Sequence, residues 1–215
     1  MKTIYTLIVL LIISSCTNEK LKVDSIGSSP DVITLPLQII KEKSLERKGY
    51  FNLDSVDVNG LVTIDSAFYN RYFLDLSINN LKGEKIEFDP YSRYFFFDYK
   101  DTGDLALFSI IHNDEIGYDN LYHFTYDRVK KQLLQVDYLA ATGSDGGQVN
   151  VDRLKYNQAG DSLIRMSAFE DESDFSKGLL VQSDSIVYQI LFNRSGTKYI
   201  KLDSISKIDT VWRKN

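Results

Sequence analysis

His112 and His123 are the only histidines in this 215-residue chain, and they limit the metal and acid–base chemistry that its sequence allows. They flank a polar segment that also contains Asp114 and Glu115. Zinc sites use imidazole and carboxylate ligands of this kind, but the spacing of these four residues matches no zinc motif. The pattern favours a polar hairpin loop between two strands. We therefore predict no metal and no cofactor.

Hydrolytic chemistry has little support in the residue pattern. A serine nucleophile needs a base and an orienting acid, and the chain contains no Gly-x-Ser-x-Gly sequence. Paired carboxylates can cleave glycosides, and the 30 acidic residues are densest from Glu170 to Asp174. Because runs of charge are usually hydrated, this segment predicts a solvated loop. A glycan-acting hydrolase with unidentified carboxylates stays the alternative to a binding protein.

Three residues are candidates for ligand binding. The glycine-rich segment from Thr142 to Gln148 contains Asp145 but leads into a predicted strand, whereas phosphate-binding loops open into a helix. We expect a mobile hairpin loop there, with ion binding at Asp145 as the alternative. The 14 Tyr and 12 Phe residues suit a β-sheet, where most of them would be buried. Tyr91 and Tyr118 are the aromatic residues that we expect to be exposed to a ligand.

The first residues of the chain have the order of a secretion signal. Lys2 precedes an apolar run from Ile4 to Ile13, which is shorter than the roughly 20 residues that span a bilayer as a helix. The sequence Ile13-Ser14-Ser15-Cys16 resembles the lipobox of bacterial lipoproteins. This resemblance implies a signal peptide at residues 1–15, cleavage before Cys16, and a diacylglyceryl group and an amide-linked acyl chain on Cys16.

The segment after Cys16 predicts how the domain is attached. Residues 16–31 are polar and turn-rich, which is typical of a flexible tether before a single domain at residues 32–215. In Gram-negative lipoproteins an Asp directly after the Cys favours the inner membrane. Thr17 differs from that pattern, so the resemblance implies the outer membrane, with the domain facing the periplasm.

Charge and cysteine content restrict the partners. Removal of Lys2 with the signal changes the formal charge from −5 to −6, and this acidity argues against a nucleic-acid partner. Membrane attachment would depend on the lipid on Cys16. Because Cys16 is the only cysteine, the fold depends on its core without a disulfide. We expect an envelope lipoprotein that binds a protein, a glycan or a small ligand without catalysis.

The elements that would position these residues are mainly strands. From Val32 onward, short aromatic and β-branched runs are separated by Asn, Asp, Gly and Ser. This predicts an all-β fold, an antiparallel meander of about ten strands that forms a barrel or a two-layer sandwich. A small β-propeller is the alternative. The hairpin of Arg93 to Tyr99 and Leu105 to Ile111 is apolar on both faces, so it should lie deepest.

The first part of the domain is predicted as hairpins. Asn59-Gly60 favours a two-residue turn between strands from Tyr50 to Val58 and from Leu61 to Phe68. Further strands are expected from Arg71 to Ile78 and from Ile86 to Asp89. Few segments have a helical pattern. Residues 41–48 predict a short exposed helix or a loop, and residues 205–212 predict either a helix or a last strand.

Overall fold

The structure, a computed structural model, describes residues 34–87, 89–175 and 178–212. Its helices are α1 (Leu37–Lys43) and α2 (Ser66–Tyr72), with 3₁₀ turns at Leu53–Ser55 and Val58–Gly60. Its strands are β1 (Leu45–Glu46), β2 (Tyr50–Asn52), β3 (Val62–Thr63), β4 (Arg93–Thr102), β5 (Leu105–Asn113), β6 (Asp119–Asp127), β7 (Gln132–Asp145), β8 (Gln148–Tyr156), β9 (Ser162–Phe175), β10 (Gly178–Leu191) and β11 (Lys198–Trp212). Within these ranges, no helix has the length and apolar character needed to cross a membrane.

The strands form one open sheet of 11 strands. From β4 to β11 each strand pairs with the next in the chain, while β1 and β3 pair with β4 and β2 pairs with β8. All pairs are antiparallel except β1 with β4. The prediction of an all-β antiparallel meander is therefore confirmed. In the described ranges β1 and β11 do not pair, so the sheet does not close into a barrel. Because one sheet contains all of the described strands, they do not form separate propeller blades.

Strand β7 connects two layers of this sheet. Its first part, up to Thr142, pairs with β6, and only Gly143 to Asp145 pair with β8. Strands β8 to β10 then pack over one face of β4 to β7. The core between the layers contains Phe95, Leu107 and Leu121 from the first layer and Leu154, Leu163 and Ile190 from the second. Burial of these apolar side chains holds the layers together.

A second core covers the opposite face of β4 to β7. Here α2 and the segment after it pack on the sheet, and Phe73 contacts both Phe124 and Phe108. The hairpin of β4 and β5 lies between the two cores, with Phe95 in one and Phe96 in the other. The prediction that this hairpin lies deepest is therefore confirmed, because both of its faces are apolar in sequence.

The predicted hairpin around Asn59-Gly60 is wrong. The side chain of Asp57 accepts a hydrogen bond from the backbone of Asn59 at 3.1 Å and caps a 3₁₀ turn. The flanking residues form only β2 and β3, and these pair with β8 and β4 instead of with each other. Tertiary pairing therefore overrides the local turn preference.

The strand predicted from Arg71 to Ile78 is also wrong. The carboxylate of Asp65 accepts from the backbone of Phe68 at 2.8 Å, which caps α2 at its first turn. The helix buries Tyr69, and Phe73 directly after it is buried as well. The strand predicted from Ile86 to Asp89 does not form among the described residues of that range, and the nearest pairing is a single bridge between Ser77 and Lys85.

The structure also shows the conformation of four further segments for which the sequence predicts a structure. The acidic residues from Glu170 to Asp174 lie within β9 and pair with β10, so this segment is a strand instead of the predicted loop. The glycine-rich loop is a tight turn in which both Gly146 and Gly147 have positive φ. Residues 205–212 form part of the edge strand β11 instead of a helix. Residues 41–48 contain the end of α1 and all of β1.

Candidate functional site

A groove of about 420 Å³ lies at the outer edge of β4. Both β1 and β3 pair with this edge, at Asp98 and Tyr99 and at Phe95 and Phe96 respectively. Phe97 lies between these two short pairings and lines the groove. The volume falls within the roughly 300–1,000 Å³ that is typical of ligand pockets. We refer to this feature as the β4-edge groove.

The apolar wall of the β4-edge groove combines residues of both layers. Its members are Leu45, Tyr50, Phe51, Val56, Leu61 and Phe97. Phe51 is fixed by an edge-to-face contact with Phe97, whose ring centroid is 4.9 Å away. By contrast, Tyr50 is 54% exposed, and its ring is available to a ligand.

Polar residues also line the β4-edge groove. They are Glu46, Lys48, Asn52, Ser55 and Asp57. The side-chain nitrogen of Asn52 donates to Ser55 at 3.4 Å, while its Oδ1 is buried and has no partner among the described residues. Because buried polar atoms are nearly always hydrogen-bonded, this oxygen is a candidate acceptor for a ligand donor.

The groove floor includes Asp98, which forms a buried ion pair with Arg47 behind it. Arg47 donates to both oxygens of Asp98, at 3.0 and 2.9 Å, and the side chains are only 1% and 4% exposed. Arg47 also donates to the carbonyl of Gly160 at 3.2 Å and stacks over the ring of Tyr156 at 4.4 Å. The paired charges offset each other, so Asp98 contributes a fixed surface and little net charge to the groove.

Next to this ion pair is the one Ser–His contact among the described hydrogen bonds. His123 Nδ1 lies 3.2 Å from Ser109 Oγ and 3.3 Å from Arg47. A guanidinium can only donate, so Nδ1 is an acceptor. Burial and the charge of Arg47 lower the pKa of His123 well below its usual value, which keeps the ring neutral. Both Ser109 and His123 are fully buried, and neither lines the β4-edge groove, so they do not face a substrate there.

The structure separates the two histidines. His123 lies on the face that is covered by β8 to β10, where it contacts Phe192. His112 lies on the opposite face and stacks on Tyr94 at 4.7 Å. A zinc site that uses both residues therefore does not form. More generally, the described residues contain no group of three His, Cys, Asp or Glu side chains that could hold a metal ion.

The predicted ligand-binding residues lie elsewhere on the domain. Tyr91 is 78% exposed in the loop before β4. Tyr118 is half-buried and packs against Gly143, and Asp145 is exposed at the end of β7. None of the three lines the β4-edge groove. Their binding roles stay predictions, and Cys16 lies outside the described residues.

The residues that build the groove were not predicted from the sequence. Residues 50–58 were expected to be a regular strand, whereas β2 ends at Asn52 and a 3₁₀ turn follows. The partners Arg47 and Asp98 are 51 positions apart, and no local pattern connects them. Exposure of Tyr50 likewise depends on tertiary packing. Among known proteins, no family model, no curated protein and no solved structure matches this chain.

Proposed function

We propose that this chain is an envelope lipoprotein, attached to the outer membrane by the lipid on Cys16, and that its domain binds an oligosaccharide in the β4-edge groove. The observation that carries the binding proposal is the composition of the groove. Two residues line this cavity together: Tyr50, whose ring is exposed, and Asn52, whose buried Oδ1 has no partner among the described residues. Ligand sites typically combine such apolar surface with a few convergent polar groups.

Sugar rings match this combination. Their apolar faces stack on aromatic side chains, and their hydroxyl groups donate to amide and carboxylate oxygens. The charged residues of the groove, apart from the paired Asp98, are Glu46, Asp57 and Lys48. Two acids and one base leave little net charge, which favours a neutral ligand over a strongly charged one. The periplasmic address proposed from Thr17 supplies a compartment that contains glycans.

Substitution of Tyr50 tests the proposal. The full chain, purified in detergent, is titrated with a panel of neutral tri- to hexasaccharides of different linkages, and heat is measured. Loss of one stacked ring is worth about 1.4 kcal/mol, so Tyr50→Ala should weaken binding about tenfold. Tyr91→Ala is the matched control, because Tyr91 is more exposed and does not line the groove. Equal effects of the two substitutions, or no binding by the wild type, would refute the proposal.

Substitution of Cys16 tests the proposed lipid anchor. Cys16→Ser should move the protein from the membrane fraction to the soluble fraction, because stable attachment requires the acyl chains. The melting temperature should not change, since all residues of the described cores lie beyond the tether. Membrane retention of the Cys16→Ser protein in a carbonate wash would contradict the lipid anchor.

Glycan hydrolysis is the second candidate function. The specific observation in its favour is that Glu46 and Asp57 both line the β4-edge groove, as paired acids do in glycosidases. Product analysis by chromatography after prolonged incubation separates the two functions. Cleavage that is lost in both Glu46→Gln and Asp57→Asn would establish a hydrolase. Unchanged ligand in the presence of saturable binding would establish a binding protein.

A further inference from the structure

A second cavity, of about 450 Å³, lies on the outer edge of β7 and is separate from the β4-edge groove. Three segments form its wall: β7, the loop at Asn79 and Asn80, and the turn between β10 and β11. The loop is fixed by hydrogen bonds to β7. The backbone of Asn79 donates to Val136 at 2.8 Å, and the side chain of Asn80 bonds both backbone groups of Tyr138. We refer to it as the Asp137 cavity.

The lining of the Asp137 cavity is almost entirely polar. Neutral amide and hydroxyl side chains dominate it, namely Asn79, Asn80, Gln135, Ser195, Thr197 and Tyr199. Leu134 is the one large aliphatic side chain in this lining. A cavity of this kind suits a small ligand with many hydrogen-bonding groups and offers little to an apolar one.

Hydrogen bonds fix Asp137 as an acceptor. The backbone of Thr197 donates to Gln135 Oε1 at 2.9 Å, which turns the Gln135 amide nitrogen towards the Thr197 hydroxyl. The hydroxyl accepts from that nitrogen and therefore donates its own proton to Asp137, at 2.6 Å. This chain of bonds holds the carboxyl of Asp137 in an orientation suited to its ionised form.

No described cation neutralises Asp137. The residue is 1% exposed, and the Thr197 hydroxyl is its only hydrogen-bond donor among the described residues. Arg194 lines the same cavity but pairs with Asp104 at 2.9 Å and lies 3.4 Å from Asp127. Two carboxylates therefore already face this one guanidinium. The cavity wall has an unmatched negative charge whenever Asp137 is ionised.

The other titratable neighbours do not supply a positive charge. His123 is the cross-strand neighbour of Asp137 in β6, and its ring is neutral for the reason given above. Burial and the carboxylate of Asp137 raise the pKa of Tyr199 by more than the nearby Arg165 lowers it, so its hydroxyl also stays neutral. Arg165 itself is paired with Asp152 at 2.8 Å. Tyr199 accepts from Asn80 at 3.0 Å, which leaves its own proton available to a ligand.

We infer that the Asp137 cavity binds a ligand with a primary ammonium group on a hydroxyl-rich scaffold, such as a free amino sugar, and that Asp137 pairs with the ammonium. The ammonium supplies the cationic partner that Asp137 lacks among the described residues. The hydroxyl groups of the scaffold bond to Asn79, Ser195 and Tyr199. This site does not depend on the function proposed for the β4-edge groove.

Three probes that differ at one group test the inference. Glucosamine, glucose and N-acetylglucosamine are titrated at pH 7 into the full chain in detergent, and the carboxyl carbon of Asp137 is followed by NMR. Glucosamine should bind at least tenfold more tightly than the other two. Asp137→Asn, which keeps the shape of the side chain, should remove this preference. Asp145→Asn, an exposed carboxyl in the same strand, should keep it.

A measurement on the wild type covers the case in which Asp137→Asn does not fold. Burial raises the pKa of Asp137 to about 6, and a bound ammonium should lower that pKa by at least one unit. Affinity for glucosamine should fall about five- to tenfold from pH 7 to pH 5 as the carboxyl is protonated. An unchanged pKa, or equal binding of the three probes, would overturn the inference. Tyr50→Ala should leave glucosamine binding unchanged, which keeps this test separate from that of the groove.

Discussion

Replacement of Arg47 by Met should destabilise the domain far more than replacement of Lys41 by Met. Both residues form short ion pairs, Arg47 with Asp98 at 2.9 Å and Lys41 with Asp101 at 2.7 Å. The pairs differ in burial, because the side chains are 1% and 4% exposed in the first and 53% and 28% exposed in the second. The comparison therefore isolates the effect of burial at nearly constant distance.

The expected magnitudes follow from the partners that remain. In Arg47→Met the carboxylate of Asp98 loses both of its described donors and stays buried, which costs about 3–5 kcal/mol. The loss of the bond to Gly160 and of the contact with Tyr156 adds to this cost. In Lys41→Met the remaining Asp101 is partly hydrated, and the cost is less than about 1 kcal/mol.

Guanidinium chloride unfolding followed by circular dichroism measures both values. The Arg47→Met midpoint should fall by about 1 M, whereas that of Lys41→Met should move little. Arg47→Met combined with Asp98→Leu should recover at least about 2 kcal/mol, because no unpaired charge is then buried. If Arg47→Met costs no more than Lys41→Met, or if the double variant recovers nothing, the account of the groove floor is incorrect.

Three further predictions concern a glycine in strand β7, a helix cap and pH. Gly143→Ala should cost about 2 kcal/mol in thermal unfolding, because its φ is +155° and a Cβ would lie 2.7 Å from the Tyr118 ring. The control, Gly49→Ala, should be nearly neutral, because a Cβ at Gly49 would have no atom within 4 Å. Asp65→Ala should cost about 1 kcal/mol through loss of the α2 cap, and an unchanged unfolding free energy would contradict that capping role. The folded pKa of Asp137, about 6, is above its usual 3.8, so its contribution to stability is complete below pH 4 and is lost as the pH rises through 6. Relative to wild type, Asp137→Asn should gain about 2 kcal/mol between pH 4 and pH 7 in urea unfolding, and parallel pH profiles would contradict this.

The sequence by itself determined the class of the fold. Alternating apolar residues specify which face of a strand is buried, and the hairpin of β4 and β5 was identified because both of its faces are apolar. The meander also followed from local signals, since each strand from β4 onward pairs with its neighbour in the chain. The lipobox resemblance at Cys16 depends only on local residue order. These features require no knowledge of distant contacts.

Only the tertiary structure determined the secondary structure of residues 45–87 and the formation of both cavities. Tyr69 and Phe73 have residue types that favour strands, but packing against the second core and the Asp65 cap place Tyr69 in a helix. The groove depends on Arg47 and Asp98, which are 51 positions apart. The Asp137 cavity depends on Thr197, which is 60 positions from Asp137. The environment of a buried charge is set by residues from distant segments, and it forms only when those segments pack together.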